Sequence, residues 1–257
     1  MTNDMLFKPS KLGMLLSYLV IYFIGASIIM MPIIGFYAAK YDLTYIELLN
    51  YMGGLIDGEQ YKVAAAAVNA YTMFIAYGLC AIVISFYGRN YLKEDILKIK
   101  ENPKKAIIMI VILTISFYAI SWVIDYLVTI ATLGSTSDNQ NQIIDMILDG
   151  SAFASFMAVV VFAPLVEELV YRKLIFEWTK KYSLVLSYIV STVIFGLIHM
   201  TSTTNVEPYV WVLLSVSYLS SGALLCAVYH FSKENVVIST IVHMFNNLVA
   251  FIAILML

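Results

Sequence analysis

Two adjacent carboxylates, Glu167 and Glu168, interrupt the apolar run Ser151–Thr179. An ionisable side chain at the centre of a membrane helix costs about 2.5–3.5 kcal/mol on insertion scales. Such residues persist because they pair with one another or act on something. Glu168 and Arg172 stand i,i+4, share a helix face and can pair. Glu167 points about 100° away around the helix axis. One carboxylate can therefore be structural while the other faces a cavity. A carboxylate held away from bulk water suits general-base chemistry near neutral pH. The plainer alternative is an Arg–Glu clasp that only staples helices together.

Two further apolar runs carry polar groups of the same kind. Phe195-Gly196-Leu197-Ile198-His199 closes one, and His243-Met244-Phe245-Asn246-Asn247 lies within another. His243 and Asn247 are i,i+4 and face the same way. Taken singly, His199 reads as an interfacial histidine, and the His243/Asn247 pair as interhelical hydrogen bonding. Depth links them. At 1.5 Å per residue, Glu167 lies about 21 Å from Lys181, His199 about 24 Å from Ser183 and Asn247 about 20 Å from Glu234. His243 comes out shallower, at about 14 Å. Three helices that place polar groups at similar depth point to one shared site. Asn246, next to Asn247, takes its place if the helix is rotated.

Composition supplies the setting. The chain of 257 residues is 61% hydrophobic and 12% charged, with a net charge of −2. Soluble domains sit nearer half apolar and a quarter charged, so the bilayer is the expected solvent. No basic run suggests nucleic acid. Seven stretches approach the roughly 20 residues needed to cross the hydrocarbon. They are 13–37, 63–87, 106–133, 151–179, 184–200, 208–231 and 236–257. The first is too long for a signal-peptide core and reads as a retained span. The expected fold is all-α: a polytopic membrane bundle of about seven transmembrane helices, or eight if one is broken. It forms a single integral membrane domain over 1–257.

An N-terminus on the inner side puts every basic residue except Lys40 and Lys62 on that side, as membrane proteins prefer. The expected location is thus the cell membrane, multi-pass, with a cytoplasmic N-terminus. The segment 42–59 spaces Tyr45, Ile46, Leu48, Leu49, Met52 and Leu55 near helical period, which fits either an interfacial helix or an ordinary outer loop. Cys80 and Cys226 sit in apolar runs without a CxxC motif and read as small packing residues. Asp125 lies within the third stretch, where it pairs with another helix or lines an access path. His230, at the end of the sixth, reads as interfacial.

At this point the residues resemble a known family: the CAAX protease and bacteriocin-processing (Abi) proteins, which include the type II CAAX prenyl endopeptidases. Its three signatures, EExxxR, FxxxH and HxxxN/D, match Glu167-Glu168-Leu-Val-Tyr-Arg172, Phe195-Gly-Leu-Ile-His199 and His243-Met-Phe-Asn-Asn247, in that order. The resemblance spans the C-terminal part from Ala152 and implies that the catalytic core helices, carrying the three motifs, lie over 152–257; the first three spans match only in being transmembrane. It implies that Glu167 activates water as general base and that His199 orients that water. His243 and Asn247 would then stabilise the oxyanion, and Glu168 and Arg172 would hold the geometry. Family names often say metalloprotease. Glu167, His199 and His243 could supply an open zinc site, but HExxH is absent, and a metal-free, glutamate-dependent reaction uses the same residues.

The resemblance implies a peptidase acting on a membrane-associated peptide or protein, in bacteriocin self-immunity or peptide maturation. The alternative is a non-catalytic membrane scaffold that binds a bacteriocin receptor or a signalling protein such as a sensor kinase. A proton-coupled transporter is a third reading. It is weakened by the absence of inverted repeats and of broken-helix Gly/Pro pairs, although Pro164 permits a local kink.

Overall fold

The computed structural model describes residues 9–204 and 206–257. Lys8, one of the basic residues assigned to the inner side, lies outside them. The described chain folds as α1 (Ser10–Lys40), α2 (Tyr45–Met52), α3 (Glu59–Glu101), α4 (Pro103–Ala131), α5 (Asp138–Asp145), α6 (Ala152–Lys180), α7 (Leu184–Ile198), α8 (Pro208–Phe231) and α9 (Val236–Leu255). No strand occurs among the described residues. Six of these helices, α1, α3, α4, α6, α8 and α9, are long and apolar enough to cross a membrane.

Two of the expected spans differ from what forms. The fifth, read as 184–200, is α7, an apolar helix of only 15 residues. That is about 23 Å of helix, short of the roughly 30 Å of hydrocarbon. It starts from a Ser183 N-cap, whose hydroxyl accepts from the Leu186 N–H at 3.0 Å, and stops at His199, inside the bundle. The second span, read as 63–87, continues to Glu101 as a helix of 43 residues. Its extension is held by Asp95, which is fully buried. The Asp95 carboxylate accepts from the Val236 N–H (2.8 Å), and its carbonyl accepts from the Asn235 side chain (3.0 Å). The lysine-rich end of α3 thus caps the start of α9.

The segment after α1 resolves as a short helix. Thr44 and Glu47 form a capping box at the start of α2, and Leu48 packs against Ile34, Tyr37 and Val68. Leu55 lies beyond the helix, exposed.

Small residues let the helices approach, as is usual where apolar burial cannot drive association. A Cβ on Gly196 of α7 would stand 2.7 Å from Leu219 of α8, and one on Gly222 of α8 would stand 3.2 Å from the Thr192 carbonyl. At the far side, Gly150 lies so close to α3 that a Cβ would meet the Ala66 carbonyl at 2.7 Å. Ion pairs sit at the two ends. Lys11 of α1 and Lys173 of α6 both reach Glu177, at 2.9 and 2.7 Å, and Lys180 pairs with Glu234. At the opposite, acidic end, Lys62 pairs with Asp149 at 3.1 Å.

Candidate active site

The site is built on α6, which is not a regular α-helix. Two stretches, Phe156–Phe162 and Glu168–Phe176, wind as π-helix, flanking the α-helical turn Ala163–Glu167. Such widened turns are rare and concentrate at functional sites. Pro164 explains one consequence of the first stretch. In α-register the Val159 carbonyl would accept from the Ala163 N–H, but that donor is taken by Ala158. In π-register its partner would be Pro164, which has no N–H. The freed Val159 carbonyl instead accepts from Asn247 Nδ2 at 2.9 Å. The predicted oxyanion donor is therefore committed to the backbone of α6 in this structure. Asn246 Nδ2 in turn donates to Asn247 Oδ1 at 3.3 Å.

The second π stretch begins at Glu168. A wider helix turns less per residue, so Glu167 and Glu168 diverge less than an α-helix would make them. Both reach one imidazole. His243 Nδ1 is 3.2 Å from Glu168 Oε1, and Nε2 is 3.8 Å from Glu167 Oε2. The depth arithmetic placed His243 about 7 Å shallower than Glu167; helix tilt and side-chain reach close that gap. Against an ionised Glu168, Nδ1 must be the protonated nitrogen. Nε2 is thereby left facing Glu167.

The two carboxylates divide as the sequence suggests. Glu168 is completely buried and is held by Ser239, His243 and Arg172, whose Nε lies at 3.4 Å. Glu167 lines a cavity. Arg172 is also completely buried; its Nη1 donates to Ser191 Oγ at 2.7 Å, while Nε and Nη2 have no hydrogen-bond partner. Its guanidinium lies over Phe195, 5.2 Å from the ring centroid. Phe195 packs against several groups of the site at once. Its ring centroid is 4.6 Å from that of His199, 6.1 Å from that of His243 and 5.4 Å from that of Tyr171.

His199 lines the same cavity without joining the ion-pair network. Its Nδ1 hydrogen-bonds to the Phe195 carbonyl at 2.8 Å, and its ring stacks on Tyr218. Donation from Nδ1 to a carbonyl leaves Nε2 as an acceptor. Glu168 thus contacts both Arg172 and His243, and His243 faces Glu167, whereas His199 and Asn247 border them. Among the described residues, no group of three or more His, Cys, Asp or Glu side chains converges to hold a metal ion. The set Glu167, His199 and His243 does not assemble as ligands in this arrangement.

Sequence reasoning missed several contributors. Tyr77 of α3 donates to Glu167 Oε1 at 3.3 Å, and the Tyr18 and Tyr171 hydroxyls pair at 2.8 Å beside it. Ser239 supports Glu168 from one turn before His243. The Ser239/His243 spacing was visible as i,i+4, but Tyr77 was one tyrosine among 19. The cavity, about 710 Å³, is lined by α1, α3 and α4 as well as the C-terminal helices. The site therefore draws on more than the core expected over 152–257.

Comparison with known proteins bears on this C-terminal region. Residues 149–249 match the family model described as type II CAAX prenyl endopeptidase Rce1-like. This segment is Rce1-like. All the motif residues fall inside the match, which covers less than half of the chain and is consistent with an intramembrane peptidase of the CAAX type. Tyr18, Tyr77 and Asp125, which line the same cavity, fall outside the Rce1-like segment. No curated protein matches the chain, and no solved structure matches it.

Proposed function

We propose that the chain hydrolyses a peptide bond of a membrane-associated peptide or protein, using a water molecule activated by Glu167. The observation that carries this is the His243 imidazole suspended between a sealed carboxylate, Glu168, and a cavity-facing one, Glu167. The 3.8 Å between Nε2 and Glu167 Oε2 exceeds a direct hydrogen bond and suits a bridging water. Glu167 takes a proton from that water as its oxygen attacks the scissile carbonyl, then returns the proton to the leaving amine. Nε2 accepts from the water when the imidazole is neutral and donates to the oxyanion when it is protonated. A preplaced donor in a dry site is worth more than in water. Glu168 fixes the ring, and Arg172 balances Glu168.

His199 Nε2, an acceptor, orients the incoming water or the substrate amide. Asn247 acts by holding the Val159 carbonyl, and so the shape of α6. The lysine-rich end is proposed to face the cytoplasm. Bacteriocin self-immunity or peptide maturation is the biological setting that fits best.

The test is cellular. Wild type and Glu167→Ala are expressed at matched membrane levels, and membrane peptides are profiled by mass spectrometry alongside bacteriocin killing. A peptide product and protection that both vanish with Glu167→Ala support hydrolysis. Full protection by the variant would mean that the cluster is a helix clasp in a binding protein.

A further inference from the structure

Asp125 has no part in the hydrolysis described above. It lies on α4, outside the Rce1-like segment, and an ionisable group inside a span calls for a partner. No cation pairs with it among the described residues. The Ser217 hydroxyl on α8 is its polar neighbour. Asp125 lines the same cavity as Glu167, on the side where that cavity reaches Thr136, Asn139 and Gln140, polar and uncharged residues of the acidic end. It stands six residues before Ala131, about 9 Å along the helix, whereas Glu167 lies about 22 Å beyond Ala152 at the same end of the molecule. The difference of about 13 Å equals about four residues of extended peptide.

We infer that Asp125 is a subsite for a cationic group of the substrate, a lysine or arginine side chain or an N-terminal ammonium. That group lies about four residues from the scissile bond, and the peptide threads in from the acidic end of the bundle. The four-residue spacing rests on the peptidase reading; the cation site does not. A carboxylate without a protein counter-charge, in a cleft with low-dielectric walls, concentrates cations. The cavity-lining residues beside it, Thr136, Asn139 and Gln140, carry no charge.

A substrate-independent probe tests the site. Thr129→Cys places a thiol one turn from Asp125, in the cavity. Leu133→Cys gives a reference thiol at a position 92% exposed. The native Cys80 and Cys226 are fully buried and supply the background. In nanodiscs, the rates of a cationic and an anionic methanethiosulfonate are compared at residue 129 and normalised to residue 133. The cationic reagent is expected to be favoured about tenfold, and Asp125→Asn should bring the ratio to that of the reference.

A second arm uses quenched fluorescent peptides in which one lysine, or norleucine as its neutral counterpart, is stepped along the chain. Lysine about four residues from the cut should lower KM about tenfold in wild type and not in Asp125→Asn. The kcat should stay within about twofold, because that contact lies remote from the reacting atoms. A reagent ratio unchanged by Asp125→Asn, or a lysine preference that survives it, overturns the inference. A ratio that collapses while wild type cuts no peptide supports the cation site and defeats the peptidase reading instead.

Discussion

At the scale of the residue, the two neighbouring glutamates have different jobs, and stability separates them. Glu168 balances a completely buried Arg172. Glu168→Ala leaves that guanidinium uncompensated and should destabilise the fold by about 3–5 kcal/mol. Glu167 gives up chiefly the Tyr77 hydrogen bond, so Glu167→Ala should lose about 1 kcal/mol. Unfolding midpoints in detergent check the ranking, and the reverse order would sink the division of labour. The pair itself was legible in the sequence because carboxylates in an apolar run violate solvation. The i,i+4 spacing of Glu168 and Arg172 was enough to predict their contact. The meeting of both carboxylates at His243 was not legible, because it depends on the π turns from Glu168 onward. Tyr77 was equally hidden, since nothing in a tyrosine's surroundings marks the one that will face another helix's glutamate.

At the scale of the element, helix α6 shows how one proline shapes a site. The Val159 carbonyl has lost its α partner to Ala158 and its π partner to Pro164, and Asn247 replaces both. Asn247→Leu should therefore cost about 1 kcal/mol, the net worth of a hydrogen bond to this partly buried carbonyl. Pro164→Ala restores an N–H at the π position. Thermal unfolding of the two single variants and the double variant should show the double less destabilised than the sum, with a coupling of about 0.5–3 kcal/mol. Strict additivity would mean that Asn247 does not serve this carbonyl. The spans themselves were readable from hydropathy and length. Their ends were less so. Helix α3 runs on to Glu101 because Asp95 is buried under the start of α9, a tertiary contact that local hydropathy cannot encode. Helix α7 stops short because the chain turns at His199, inside the bundle.

At the scale of the whole molecule, charge sorts to the two ends. Lys104 and Lys105 begin α4, and Leu133 follows its far end, next to the acid-rich segment 138–149. If the lysine-rich end is cytoplasmic, an impermeant maleimide on intact cells labels Leu133→Cys at once. Lys105→Cys should then be labelled only after permeabilisation. The opposite pattern would invert the proposed orientation. The contact between Val159 and Asn247 spans 88 residues of chain. During biosynthesis α6 therefore reaches the membrane well before α9 has been translated. In that interval a backbone carbonyl sits in hydrocarbon without a donor, which costs several kcal/mol. The same interval leaves Glu167 without His243. The nascent chain thus carries an unfinished helix and a carboxylate without its imidazole together, and one arriving helix completes both.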